Sequence, residues 1–274
     1  MPLPRLQLFE FNDSAWAPRP LRDTIIESLS RTLSWGHHLS GLVAPFEEFA
    51  RKAGVHEVLD VCSGAGGPAR ILVSEIRRAG RTPPRFVLTD LNPQLEAWEE
   101  ARFAHPRDLS FVAAPVDATN IPSELGLGRA RVIINSFHHF APELAARILR
   151  DAVAGSAGIF LAEPFDRNPL NFARFIPVGS LALAANPVLS GRDRLVKALM
   201  TWASPLAVAA SVWDGVVSTL RVYDREQLEA MVAPLGDTFE WTYGRYRWAG
   251  NGLGYYFYGV PRPTRQTVTT AASA

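Results

Sequence analysis

Short runs of consecutive apolar residues alternate with amphipathic stretches through the middle of the chain. EVLDVC (57–62), RFVLTD (85–90), LSFVAAP (109–115), ARVIINSF (130–137) and GIFLAE (158–163) are apolar throughout. That is the pattern of parallel strands covered by helices on both faces. Between them, PARILVSEIRRAG (68–80) places Ile71, Leu72, Ile76 and Ala79 near a 3.6-residue period and stops at Gly80. PQLEAWEEARFA and PELAARILRDAVAG read as further helices. Near the end, the helix DREQLEAMVAPLG precedes two more strands, FEWTYGRY and GYYFYGV. The alternation predicts an α/β fold with an open, doubly wound, mostly parallel seven-stranded sheet.

Two regions depart from this pattern. Residues 20–54 read as two helices, so 1–54 is expected to form an N-terminal helical cap. Residues 164–222 are apolar and rich in proline and glycine, and are expected to form an apolar helical insertion after strand five. The main domain spans 55–263. The small polar tail, 264–274, is expected to be disordered.

Composition narrows the function classes. Lys+Arg is 28 and Asp+Glu is 27 over 274 residues, so no basic excess points to nucleic acid. Cys62 is the one cysteine, which rules out an intramolecular disulfide and fits a reducing cytoplasm. MPLPRLQLFEFNDSAW lacks the continuous apolar stretch of a signal peptide. The expected location is cytoplasmic, with membrane association as the alternative. His37-His38 and His138-His139 are adjacent pairs, not the i, i+4 pattern of a zinc-binding helix, and no metal site is read.

The sharpest motif is VLDVCSGAGG, Val58 to Gly67. Strand, glycine turn and helix follow in the order that a nucleotide-like ligand needs, and Pro68 suits a first helical position. Gly64, Gly66 and Ala69 also score as a GxGxxA dinucleotide fingerprint, with Asp90 as the ribose acid. Asp60 separates the two readings. An acid just before the loop would repel a pyrophosphate and suit a cation.

On these residues the chain resembles the class I S-adenosylmethionine-dependent methyltransferases, whose first motif is commonly hhDxGxGxG. The resemblance covers about residues 55–165 and implies a Rossmann-like methyltransferase fold with S-adenosylmethionine as cofactor. It implies that Asp60, Gly64 and Gly66 hold the amino-acid end of the cofactor. Asp90, with Leu91 beside it, would bind the ribose hydroxyls. Asp117 and Ala118 would meet the adenine, and Asn135 would line the methionine side. Cys62, in the same loop, is a further cofactor-binding candidate, and stands where the family usually has glycine. Ala130 and Arg131 open strand four, where it often has an acid.

Methyl transfer needs an aligned nucleophile and, for some acceptors, a base. His138 and His139 follow strand four at the carboxyl edge of the sheet, and Glu163 ends strand five at the same edge. These three are the catalytic candidates. Residues 175–191 and 198–213 carry no charge, yet each is shorter than the roughly 20 residues of a membrane span and is interrupted by proline. The insertion is expected to cover the acceptor as a hydrophobic lid, with a dimer face or a membrane-surface contact as alternatives. Trp16, Trp213, Asp214, Arg221 and Tyr223 are the candidate substrate residues. The expected partner is a small apolar or aromatic acceptor methylated at O or N. The alternatives are an idle S-adenosylmethionine-binding or membrane-associated protein, and an NAD(P)-dependent oxidoreductase. The sequence assigns no oligomeric state.

Overall fold

The apolar runs become strands β1 (Glu57–Val61), β2 (Arg85–Thr89), β3 (Leu109–Phe111), β4 (Ala130–Ile134) and β5 (Ile159–Glu163), followed by β6 (Phe239–Trp248) and β7 (Gly252–Pro261). The computed structural model describes residues 4–262, so the tail 264–274 lies outside the described residues. The seven strands form one sheet in the order β3-β2-β1-β4-β5-β7-β6. β1 pairs in parallel with β2 and β4, and β4 with β5. β7 runs antiparallel between β5 and β6. Strand order reverses between β1 and β4, and the crevice at their carboxyl ends is where open α/β sheets bind ligands.

Helices α1 (Arg19–Trp35) and α2 (Val43–Ala53) precede the sheet. The connections carry α3 (Gly67–Arg78), α4 (Leu95–Ala104), α5 (Ser123–Gly126) and α6 (Pro142–Gly155). The insertion after β5 folds into α7 (Pro169–Phe172), α8 (Ile176–Leu189), α9 (Arg194–Ala198) and α10 (Leu206–Arg221). α11 (Arg225–Val232) then leads to β6, started by a capping box in which Asp224 and Gln227 satisfy each other's backbone N–H. Every residue of β4 and β5 is buried, as their unbroken apolar runs require. α2 sets Phe46 on the sheet against Phe86 and Phe160, with ring centroids 5.6 and 5.2 Å away. Each such ring taken out of water contributes about 2 kcal/mol.

Two strands stop earlier than their apolar runs suggest. β3 ends at Phe111. β4 ends at Ile134 because Asn135 turns the chain at φ +58°, and Phe137–His139 then form a 3-10 turn. Arg131 on β4 is buried and donates to Asp151 of α6 at 2.6 Å, which gives this unusual strand residue a partner.

The insertion is held to α1 and α4 by polar contacts. Lys197 of α9 is fully buried and donates to Glu27 of α1 at 2.8 Å and to Ser190. Arg31 of α1 donates to Asn186 of α8. Arg192 reaches across to Glu96 of α4 at 2.6 Å. Glu27→Ala would leave the buried Lys197 ammonium without its counter-charge. It should destabilise the protein by about 3 kcal/mol, read as a lower midpoint in urea unfolding at unchanged m-value. Among the described residues no single helix is long and apolar enough to cross a membrane. Arg194–Ala203 and Leu206–Arg221 are apolar together but bent by 81°.

Candidate active site

The glycine loop between β1 and α3 is tied down at several points. Ser63 donates its hydroxyl to the Asp60 carbonyl at 2.9 Å and accepts from the Thr89 N–H at 3.1 Å. Thr89 Oγ1 donates to the same Asp60 carbonyl. Trp98 of α4 donates its indole N–H to the Gly64 carbonyl at 2.8 Å, and Gly64 N–H donates to Asp90 Oδ2 at 2.9 Å. Gly64 and Gly66 have φ of +52° and +76°, values that cost glycine nothing. A Cβ at Gly64 would meet nothing within 4 Å, whereas one at Gly66 would press on Leu88 and Trp98 at 3.1 and 3.4 Å. Cys62 adopts φ +62°, the left-handed conformation that glycine would take without strain. Burial and the nearby carboxylates of Asp90, Asp60 and Asp117 push its thiol well above the ordinary range, so it is no nucleophile.

The four acceptor groups expected along the crevice lie at the ends of successive strands. Asp60 is 3% exposed, and no Lys or Arg pairs with it among the described residues. Burial, with the Asp90 charge adding to it, pushes its carboxyl up to about 7. Asp90 ends β2 half-buried, holding the Asn92 N–H as well as that of Gly64. Leu91 beside it is exposed. Asp117 turns on the N–H and hydroxyl of Thr119, next to buried Ala118. Asn135 Oδ1 is buried without a partner. A buried carboxylate with no cation against it, beside a glycine turn, and an orphaned amide oxygen fit a ligand with a cationic amino-acid end, and Asp90 fits its diol. These are the groups that S-adenosylmethionine offers.

At the ends of β4 and β5 stands a buried pair. His138 donates its backbone N–H to Glu163 Oε1 at 3.1 Å, and its ring Nδ1 lies 3.0 Å from Glu163 Oε2. Both side chains are out of water. Burial pushes the histidine down to about 3 and the carboxyl up to about 8. His138 Nε2 is buried with no partner. It lines a cavity of about 370 Å³ bordered by α1, the insertion and the ends of the two strands. The walls include Phe165, Phe172, Phe175, Leu183 and Trp202.

His139 also lines the cavity but is engaged elsewhere. Its Nδ1 lies 2.8 Å from Asp13 and 3.5 Å from Glu10. Arg221 Nη1 lies 3.0 Å from Asp13 and 3.2 Å from Glu10. Burial pushes Glu10 up to about 7, while hydrogen bonds from His139 and Arg221 outweigh burial at Asp13 and hold it at about 2. Ligand atoms of Glu10, His138 and His139 lie within 4.8 Å of one another, a spacing that suits a metal ion. The Arg221 guanidinium already places a positive charge against Glu10 and Asp13, so this cluster reads as a hydrogen-bonded network.

The candidate substrate residues divide. Asp214 lines the cavity, and its carboxylate accepts the N–H groups of Phe11 and Asn12 at 2.7 and 3.0 Å. Arg221 and Tyr223 stand behind the cavity, Tyr223 donating to the Phe140 carbonyl at 2.6 Å beneath the Arg5 guanidinium. Trp16 and Trp213 stand outside its lining. Trp16 is 67% exposed and packs on Phe9 and Phe11, and Trp213 donates to the Phe9 carbonyl. The inward face of α10 is set by Val208, Ser211, Val212, Asp214, Gly215 and Ser218, while Trp213 is turned to Phe9. The N-terminal segment supplies residues that sequence reasoning missed: Glu10, Asn12 and Asp13. Their partners lie more than a hundred residues away, and no local pattern marks them.

No protein-family model and no curated protein matches the sequence. Solved structures do match in fold. An O-methyltransferase-like protein from Nostoc punctiforme aligns over 94% of this chain and 64% of its own, at 13% identity and a TM-score of 0.52. NcsB1, an O-methyltransferase from neocarzinostatin biosynthesis, was solved with S-adenosyl-L-homocysteine and 1,4-dihydroxy-2-naphthoic acid. It aligns over 89% of this chain and 59% of its own, at 12% identity and a TM-score of 0.51. The same enzyme with S-adenosylmethionine and 2-hydroxy-5-methyl naphthoic acid gives 13% identity and a TM-score of 0.50. The chain thus spans less than two thirds of the length of these proteins. With the strand order and the glycine loop, the likeness shows the fold: that of the class I S-adenosylmethionine-dependent methyltransferases.

Proposed function

We infer that the protein is a methyltransferase that uses S-adenosylmethionine to methylate a hydroxyl oxygen of a small aromatic acceptor. The observation that carries this reading is the orphaned His138 Nε2, backed by Glu163 and facing an apolar cavity beside the ligand crevice. S-adenosylmethionine, when bound, supplies a methyl group already activated by its sulfonium. The chain's own residues have three tasks. Asp60 and Asn135 hold the amino-acid end, and Asp90 holds the ribose. α1 and the insertion act as a lid that excludes water and selects the acceptor by shape. His138 Nε2 takes the hydroxyl proton as the oxygen bonds to the methyl carbon, the carbon–sulfur bond breaks and sulfur keeps the electron pair. Glu163 accepts from Nδ1–H, so that the lone pair of the ring points at the acceptor.

The oxidoreductase reading is disfavoured because a buried Asp60 would repel a pyrophosphate at the loop. Asp90→Ala tests the cofactor assignment. Two hydroxyls donating to one carboxylate are charge-assisted bonds of roughly 1.5–3 kcal/mol each. The variant should bind S-adenosylhomocysteine at least about tenfold more weakly in a calorimetric titration while keeping its cooperative thermal transition. Unchanged affinity contradicts the assignment. Release of S-adenosylhomocysteine on adding a phenolic acceptor separates a working enzyme from an idle binder.

A further inference from the structure

The cavity over His138 holds more polar chemistry than proton removal uses. His138 Nε2 sits at its sheet end, next to Asn135, whose Oδ1 serves the cofactor, and Thr201 Oγ1 and Ser211 Oγ belong to the insertion. His138, Thr201 and Ser211 line the cavity, and these three atoms are buried without a hydrogen-bond partner. Buried polar groups are paired in nearly all native proteins, so orphans sharing one cavity mark where the polar atoms of a ligand belong.

α10 gives the spacing between the two ends. Its cavity-facing residues are Val208, Ser211, Val212, Asp214, Gly215 and Ser218. Ser218 donates to Glu10, which lies beside His139, and so marks the histidine end. Ser211 is seven residues earlier, roughly 10 Å along the helix axis at 1.5 Å per residue. Thr201 and Trp202, on the π-helical turn Leu199–Ala203, line the cavity with it. Phe165, Phe172, Phe175 and Leu183 also line the cavity.

Charge narrows the ligand further. Among the described residues none that lines the cavity is lysine or arginine. Asp214 does line it, and Glu10 lies behind Ser218. An anionic group at the far end would lose its water in a lining that offers no cation, since Arg221, behind His139, is already taken up by Glu10 and Asp13.

We propose that the acceptor is an uncharged, elongated aromatic with hydroxyl or carbonyl groups at both ends, one delivered to His138 and the other held by Ser211 and Thr201. This rests on the methyltransferase reading above and names the substrate class of the same site. Three anthraquinones test it: one with hydroxyls on opposite outer rings, one with a single outer hydroxyl, and one with a carboxylate in place of the far hydroxyl. Each is titrated into protein saturated with S-adenosylhomocysteine, and KM and kcat for methylation are measured with S-adenosylmethionine. The dihydroxy compound should bind about tenfold tighter than the monohydroxy one, and the carboxylate weakest. Ser211→Ala combined with Thr201→Val should erase the preference, raising KM for the dihydroxy compound about tenfold, to that of the monohydroxy one. Equal affinities, a preference for the carboxylate or a preference that survives the double substitution overturns the proposal. S-adenosylhomocysteine binding is the control. Its presence with any of those results sinks the acceptor class alone, and its absence sinks the methyltransferase reading as well.

Discussion

His138→Gln should lower kcat for a phenolic acceptor by about 10²- to 10⁴-fold, the usual contribution of a positioned base, while S-adenosylhomocysteine binds as before. The glutamine keeps the size of the ring but has no lone pair of comparable basicity at the Nε2 position. The fold should tolerate it, because Glu163 is pushed up to about 8 by burial and is neutral near pH 7. The same pair sets the pH dependence. With Glu163 protonated and donating to Nδ1, the histidine carries its own proton on Nε2 and cannot act as base. Removing one proton from the pair leaves Nδ1–H donating to the carboxylate and frees the Nε2 lone pair. kcat/KM should therefore rise with pH through about 8 and level off above it, and fall as pH drops below that value. A full-rate His138→Gln enzyme, or a rate that declines as pH rises through this range, would remove His138 from the chemistry.

A comparable effect is expected at Asp60, in binding rather than rate. Its carboxyl is raised to about 7 by burial and by the Asp90 charge. Ligand with a cationic amino-acid end favours the ionised form, so binding must take the proton off. The sign follows: affinity for S-adenosylhomocysteine falls about tenfold per unit as pH drops below 7 and is level with respect to Asp60 above it. Two units of acidification should weaken binding about 100-fold. Asp60→Asn should bind at least that much more weakly at pH 8 and lose the pH dependence. Tight, pH-independent binding by the wild-type protein would show that Asp60 faces no cation.

The sheet was largely legible because its strands are buried on both faces. β1, β2, β4 and β5 show as continuous apolar runs, and Gly64 and Gly66 mark the turn that follows the first of them. Runs overstate strand length where one residue turns the backbone without changing the apolar pattern. ARVIINSF continues through Phe137, but Asn135 at φ +58° ends β4 and delivers His138 to Glu163. The insertion was legible as apolar and helical, but its helix boundaries were not, because Pro177 stands in the first turn of α8 and Pro187 in its last. Proline in the first turn is compatible with a helix, while proline further in usually signals a break. Trp16 and Trp213 were candidates for the acceptor pocket by composition alone. The rotation of α10 sends Trp213 to Phe9, and the cavity takes its aromatics from Phe165, Phe172, Phe175 and Trp202. Glu10, Asn12 and Asp13 had no local signal at all, since Asp214 and Arg221 reach them across some two hundred residues of chain.

The central claim is that the crevice at the ends of β1, β2 and β4 binds S-adenosylmethionine. Calorimetric titration of the purified full chain with S-adenosylhomocysteine, and in parallel with NADH, tests it most directly. The account predicts one saturable site per chain for S-adenosylhomocysteine, weakened by Asp90→Ala, and no heat from NADH beyond dilution. Saturable binding of NADH with none of S-adenosylhomocysteine would contradict it.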